Sequence, residues 1–331
     1  MDGGIIHDGA HYRVLYRRVS DDPFTVVYFE SLQDPPRLDT PPSAQDFFLR
    51  RGVNFVGVKP AQNDWYQHDE INAALAAIRA ATPGARLAGY GGSMGAYAAV
   101  NFANDLGLVS LLAICPQYSL QPAKVPFERR WLAEAAAIDF RNDRINAPPR
   151  LRRGFIMFDP QTEDRLHAER ILAHHDLTPL PIWFTGHEQL RFLTQAGISG
   201  DVILGLLRGE MDRAEVVRRV RAARRESNIV WHGVAKLRLR RGEIAAAARA
   251  MDRAEEAPLP DPFDAAVTRG KILRRVGRKQ EAETLVAAFL DNPATAPQAR
   301  WRLDHWAEAD RDWAARHPPA SWWRRLLERR A

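Results

Sequence analysis

The sequence predicts an α/β protein with a mostly parallel sheet and helices on both faces over residues 1–200, followed by an all-α helical-repeat region over 201–331. Three observations predict it. Short β-branched and aromatic runs alternate with apolar residues at helical spacing through the first 200 residues, which is the pattern of a parallel sheet covered on both sides. The strand-like runs stop near residue 200. Beyond that point a glycine followed five residues later by alanine recurs at Gly209, Gly242 and Gly277, with the glycines 33 and 35 residues apart, a period typical of helical hairpin arrays. A chain of 331 residues also exceeds the size at which one core keeps growing, so two domains are expected, 1–200 and 201–331.

Taken in order, the strand candidates are 11–18, 24–30, 53–59, 85–91, 108–115, 154–159 and 180–185. Helical spacing is clearest in 68–82, through Ile71, Ala74, Leu75 and Ile78, and in 94–106, through Met94, Tyr97, Ala98 and Phe102. A further helix is expected over 164–175, where His167, His174 and His175 read as exposed or capping residues. Residues 117–150, including Val125-Pro126-Phe127-Glu128-Arg129-Arg130-Trp131, lie between two strands and form either a small cap or an ordinary crossover helix. In the tail, Trp231, Ala235, Ala247, Met251 and Ala254 around Gly242, and Gly270, Leu273 and Ala282 around Gly277, fall where tetratricopeptide repeats put large and small packing residues. The tail therefore resembles two to three tetratricopeptide-like units over roughly 205–295. The alternative is an unrelated helical bundle. Residues 296–331, with Trp301, Trp306, Trp313, Trp322 and Trp323, read as capping helices whose indoles cover the open end of the array.

Hydrophobic residues make up 46% and charged residues 27% of the chain, the balance of a folded globular protein rather than a disordered or membrane-spanning one. The net charge of +6 is concentrated after residue 200, on arginines interspersed with glutamates, which reads as a solvated helical face. Neither a nucleic-acid partner nor an integral-membrane role is expected. The one cysteine, Cys115, excludes an intramolecular disulfide and a multi-cysteine zinc site; within Leu111-Leu112-Ala113-Ile114-Cys115 it reads as a buried small hydrophobe. The N-terminus lacks a basic stretch followed by a long apolar run, so a cytoplasmic protein is expected.

The chemistry centres on Gly91-Gly92-Ser93-Met94-Gly95, placed between a predicted strand and a predicted helix. Glycines two before and two after the serine let the chain turn sharply enough to stand the hydroxyl above the sheet at a helix N-terminus. A dinucleotide-binding loop starting at Gly89 and Gly91 fails, because its third glycine would fall at Met94, and no Walker-type Gly-Lys-Ser/Thr run exists. The segment resembles the nucleophile elbow of the α/β-hydrolase superfamily, over about residues 10–200. Gly91 to Gly95, Cys115-Pro116-Gln117-Tyr118-Ser119 and Gly186-His187 are similar to a group of bacterial hydrolase-like proteins, some of them linked to surface-polysaccharide work.

A serine hydroxyl needs a base to take its proton and an acid to orient that base. The resemblance implies the order Ser, acid, His, in loops after late strands. It assigns the base to His187, after the last strand, with His68 as the substitute, and the acid to Asp164 or, alternatively, to Asp159 at the strand end. The oxyanion donors it implies are the N–H of Met94 and one from the Glu30-Ser31-Leu32 loop, placed at Ser31; that loop lacks the His-Gly pair common in lipases and esterases. The expected protein is a serine esterase or acyl-transfer enzyme without metal or organic cofactor, acting on a small-molecule or glycan-linked acyl substrate, its repeats free to bind a protein partner. The alternative is an inactive hydrolase-like scaffold whose repeats recruit such a partner.

Overall fold

Eight strands form one sheet in the order β1-β2-β4-β3-β5-β6-β7-β8. They are β1 (Ile5–Asp8), β2 (Tyr12–Arg17), β3 (Phe24–Phe29), β4 (Asn54–Pro60), β5 (Arg86–Gly92), β6 (Ser110–Ile114), β7 (Arg153–Phe158) and β8 (Thr178–Pro181). β2 runs antiparallel to β1 and β4, and every other pairing is parallel. The computed structural model describes residues 3–145 and 150–316, which fall into two compact units, 1–225 and 226–331.

The sequence explains this sheet. Phe24-Thr25-Val26-Val27-Tyr28-Phe29 and Asn54-Phe55-Val56-Gly57-Val58-Lys59-Pro60 are buried along their whole length, as central parallel strands must be when helices cover both faces. The covering helices are α1 (Gln45–Leu49), α2 (Ile71–Ala81), α3 (Met94–Asn101), α4 (Ala103–Leu106), α5 (Leu132–Ala137), α6 (Asp164–Leu172), α7 (Gln189–Gln195), α8 (Ser199–Arg208) and α9 (Arg213–Ala223). α2 buries Ile71, Ala74, Leu75 and Ile78, the four residues its periodicity singles out. The architecture is α/β-hydrolase-like: the Gly91–Gly95 turn joins the central β5 to α3, and late-strand loops meet it at the C-terminal edge of the sheet.

Three details depart from expectation. β1 was not expected; its four residues are too short for a periodic signal, and the strand is held by pairing with β2. β8 begins at Thr178, two residues before the predicted strand, so Ile182 to Thr185 lie in the turn that carries His187. Residues 117–145 hold only the short α5 and otherwise run irregularly, bringing Gln117, Glu128 and Arg130 to the site.

The division between units falls at Arg225 rather than after residue 200, because α8 packs on β6 and β7 and α9 on β8. Gly209, the first glycine of the repeat pattern, therefore ends a helix of the sheet unit. α8 buries Val202, Ile203, Leu206 and Leu207. At about 1.5–3 kcal/mol each, the four match the stability of a whole domain. A chain ending at Arg225 is expected to fold, and one ending at residue 200 to be insoluble or molten, in contrast to the boundary expected from the pattern. Far-UV and near-UV circular dichroism of the two fragments checks this.

In the second unit α10 (Asn228–Arg240) packs on α11 (Ile244–Ala254), α12 (Pro262–Arg275) on α13 (Lys279–Ala287), and α13 on α14 (Ala296–Arg316). Gly242 and Gly277 end α10 and α12 in the left-handed region, with φ of 75° and 85°. Ser227 and Asp261 cap α10 and α12, each accepting a bond from the N–H three residues on. Ala235, Ala247 and Met251 form the core of the first hairpin, and Leu273 and Ala282 that of the second. Trp306 is buried against Gly270, where a Cβ would meet its ring at 2.7 Å, whereas Trp301 is exposed, so the indoles do not act as one cap. Trp322 and Trp323 lie outside the described residues. No single helix among the described residues is long and apolar enough to cross a membrane.

Candidate active site

Ser93 stands between β5 and α3 with φ of 50° and ψ of −119°, a conformation few non-glycine residues adopt and one that surrounding structure must enforce. Two close approaches enforce it. A Cβ at Gly91 would lie 2.4 Å from the Gly95 carbonyl, and one at Gly95 would lie 2.1 Å from Phe29 O, so α3 can start where it does only with glycine at both places. The Ser93 N–H donates to Ile114 O at 2.8 Å, tying the turn to the end of β6.

The structure brings Ser93, His187 and Asp164 together. Ser93 Oγ is 3.0 Å from His187 Nε2, and His187 Nδ1 is 2.8 Å from Asp164 Oδ2. A carboxylate accepts only, so Nδ1 carries the ring proton and Nε2 is left to accept from the serine hydroxyl. His68 takes no part: it stacks on His11 with ring centroids 3.3 Å apart and accepts the Glu70 N–H at Nδ1. Asp159 takes a different position from Asp164. Its Oδ1 accepts from Gln161 N at 2.8 Å and its Oδ2 from Gly186 N at 2.7 Å, so it braces the turn that holds His187. Gln189, fully buried, adds to this brace by donating to Gly186 O at 2.5 Å. The Cys115 thiol donates to the Gln189 side-chain oxygen, so Cys115 is a hydrogen-bonding member of the brace rather than apolar filler, and burial pushes the thiol well up from its ordinary value.

Behind the site lies a chain of charges that the linear sequence does not disclose. Arg130 Nη1 donates to Asp164 Oδ1 at 2.8 Å while its Nη2 donates to Glu128 Oε2 at 2.6 Å. Glu128 Oε2 is 2.9 Å from His167 Nε2, and the Tyr118 N–H donates to His167 Nδ1 at 3.0 Å. Since Nδ1 accepts, His167 is neutral and donates to Glu128. His167 is thus fully buried, not exposed as the helical pattern suggests, and His175 is buried with its Nε2 on Ile145 O; His174 stacks on Tyr118. Burial alone would raise the Asp164 carboxyl, but His187 and Arg130 outweigh it and hold it below the ordinary carboxylate value. Glu128 shows the same balance, burial overcome by His167 and Arg130. The His187 side chain is 31% exposed and Asp164 1%, so the imidazole is fixed from behind and open in front.

These shifts predict the acid limb of stability. Burial lowers the His167 value, so the unfolded chain takes up that proton first and stability falls as pH drops below about 6.5. Asp164 and Glu128, both lowered, contribute stability present above the ordinary carboxylate range and lost as pH falls through their folded values. Asp159, raised by burial, acts in the opposite sense near that range. Melting temperature is expected to decline as pH falls below about 6.5, with the first part of the decline reduced in His167→Gln, which keeps both hydrogen bonds. An unchanged profile in that variant would remove His167 as its cause.

The Met94 N–H is the first of α3 and lies at the positive end of the helix dipole, directly after the serine. The Ser31 hydroxyl donates to Gly92 O at 2.8 Å, which occupies the side chain and leaves only the backbone N–H of Ser31 for an oxyanion. Among the described residues, two groups have ligating atoms within 4.8 Å of one another, His11/His68/Glu70 and Cys115/Asp164/His187. In the first, Glu70 accepts from His11 N, Tyr12 N and His7 Nε2, which ties the β1–β2 hairpin to α2, and the bond at His68 Nδ1 uses the lone pair a metal would need there. In the second, Asp164 and His187 already bond to each other and the Cys115 thiol donates to Gln189.

No protein-family model matches the chain, and no curated protein matches it in sequence. Among solved structures it is similar to the capsule O-acetyltransferase of Neisseria meningitidis serogroup A, at 13% identity over 57% of this chain and 90% of that one, with a TM-score of 0.41. It is similar to the esterase Pf2001 of Pyrococcus furiosus at 12% identity, over 63% and 88% of the two chains, with a TM-score of 0.39. For the alpha/beta hydrolase domain-containing protein 10 from mouse the figures are 10% identity, 64% and 100% coverage, and a TM-score of 0.41.

The site residues that the sequence left unmarked are Gln117, Glu128, Arg130, His167 and Gln189. For Gln117 a signal existed, since Cys115-Pro116-Gln117-Tyr118-Ser119 ends a predicted strand beside the elbow strand. For the others no local pattern distinguishes them from solvated charges.

Proposed function

We propose that this chain is a serine esterase or acyl-transfer enzyme working through a Ser93 acyl-enzyme, with His187 as base and Asp164 as the acid that orients it. The observation that carries the reading is the continuous relay from Ser93 Oγ to His187 Nε2 at 3.0 Å and from His187 Nδ1 to Asp164 at 2.8 Å, built on a strained turn at a helix N-terminus. In acylation the Ser93 proton passes to His187 Nε2, Oγ bonds to the acyl carbon, and the carbonyl electron pair moves onto its oxygen. The Met94 N–H and the backbone N–H of Ser31 would face that oxyanion. The pair then returns, the leaving group departs with the proton from His187, and a water or alcohol hydroxyl repeats the sequence on the acyl-enzyme. The substrate is proposed to be a small-molecule or glycan-linked acyl ester. Labelling of the full chain by a fluorophosphonate, located to Ser93 by peptide mass, tests the reading; an unlabelled Ser93 in folded protein overturns it.

The hairpins turning at Gly242 and Gly277 support reading the second unit as tetratricopeptide-like, and a protein partner is the ligand such a unit would take.

A further inference from the structure

We propose that the side-chain amide of Gln117 is a further catalytic group: a fixed donor that holds the Ser93 oxygen in its attacking orientation and stabilises it when it leaves the acyl group. The inference rests on the reading of Ser93 given above and adds a residue that neither the serine motif nor the order Ser, acid, His contains.

Gln117 is fully buried, two residues beyond the turn at Cys115 that ends β6. A buried amide must find partners, and both of its ends have one. Trp65 Nε1 lies 3.1 Å from Gln117 Oε1, and Gln117 Nε2 lies 3.1 Å from Ser93 Oγ. An indole N–H can only donate, so the amide oxygen must face Trp65 and the NH₂ group must face the serine; the flipped amide would oppose two donors. Trp65 therefore decides which end of Gln117 meets the nucleophile.

The loop that presents Trp65 is held in a costly conformation. Trp65 and Tyr66 have φ of 51° and 59°, both in the left-handed region that large side chains avoid. Hydrogen bonds maintain them: Tyr66 N donates to Asp64 Oδ1 at 2.9 Å, and, in the interior, Tyr66 Oη donates to Glu30 O at 2.8 Å and Gln67 Nε2 to Trp65 O at 2.9 Å. Two strained residues spent on aiming one indole at one amide are explained by what that amide touches.

At Ser93 the consequence is geometric. Oγ donates its proton to His187, accepts from Gln117 with one lone pair, and keeps one lone pair for the acyl carbon. Its torsion is thereby set before substrate arrives. In deacylation the incoming hydroxyl gives its proton to His187 and bonds to the acyl carbon; then the C–Oγ bond breaks, the electron pair stays on Oγ, and the proton returns from His187. Negative charge grows on Oγ in that last step, and the Gln117 bond strengthens as it does so. Loss of the amide should therefore slow deacylation more than acylation.

The test uses the full chain, an activated acetyl ester and a fluorophosphonate. Gln117→Leu is expected to lower kcat about 10²-fold with KM falling alongside it, so that kcat/KM changes by less than about tenfold, and to let acetyl-enzyme accumulate, seen as a burst and as an acetyl mass on Ser93. Gln117→Glu keeps the shape and the Trp65 bond; ionised, it turns an acceptor toward Oγ, so its loss should be at least as large at high pH and shrink at low pH, where the protonated carboxyl donates instead, with a lowered melting temperature from burying the charge. Trp65→Phe keeps the ring packing without the N–H and should lose about tenfold. Wild-type turnover and labelling rate in Gln117→Leu, or in Gln117→Glu should the leucine variant not fold, overturn the proposal. Labelled wild type with undiminished variants defeats this inference alone, whereas unlabelled wild type defeats the Ser93 reading and this one with it.

Discussion

Ser93→Ala is expected to abolish fluorophosphonate labelling and to cut ester turnover by roughly 10⁵–10⁶-fold, leaving only what the oxyanion donors and substrate binding provide. The fold should survive. Alanine keeps the Cβ, so the strain at φ of 50° is unchanged, and the Gly91 and Gly95 contacts that impose the turn do not involve the hydroxyl. What is lost is a bond partner for His187 Nε2 and Gln117 Nε2, about 1 kcal/mol each and less where water enters. Undiminished turnover in a folded Ser93→Ala chain would overturn the assignment of the nucleophile.

Asp164→Asn and Asp159→Asn are expected to separate the two carboxylates by kind as well as by size of effect. Asparagine at 164 removes the charge that stabilises the imidazolium and turns an amide donor toward Nδ1, which drives the ring proton to Nε2 and leaves His187 unable to accept from Ser93. A loss of about 10⁴-fold in kcat follows. Because Asp164 also accepts from Arg130, the variant should lose roughly 1–3 kcal/mol of stability as well. Asp159 touches neither Ser93 nor the His187 ring; its oxygens hold Gln161 N and Gly186 N. Its asparagine variant has one acceptor for two donors, so it should lose a similar 1–3 kcal/mol but only about tenfold in rate, through a loosened His187 turn. The two rates and two melting temperatures together decide the matter. A large rate loss confined to Asp159→Asn would move the acid role to that residue.

The sheet was legible where strands are long and apolar on both faces, as in β3, β4, β5 and β6, because burial on two sides leaves a continuous hydrophobic run. It was less legible at the edges. β1 exists through its pairing with β2, and β8, Thr178-Pro179-Leu180-Pro181, has two prolines that only an edge strand tolerates. The domain boundary was misplaced because α8 has the amphipathic pattern of a repeat helix, and that pattern does not say which surface its apolar face will cover.

The local chain determined the elbow. Two glycines around Ser93 specify a turn that larger residues cannot make, and the resemblance that turn carries pointed to His187 and to Asp164, with Asp159 as the alternative. Tertiary structure sets Asp164, and not Asp159, against the imidazole: both follow β7 within six residues, and the fold puts the Asp164 carboxylate on His187 Nδ1 and the Asp159 carboxylate on Gly186 N. It also brought Trp65 to Gln117, 52 residues away, and Arg130 to Asp164, 34 residues away. A hydrogen bond is satisfied by geometry at about 3 Å and is indifferent to the length of chain between its partners. Backbone constraints such as a glycine turn are written in neighbouring residues, while the partners of a buried amide or carboxylate exist only once distant segments have packed.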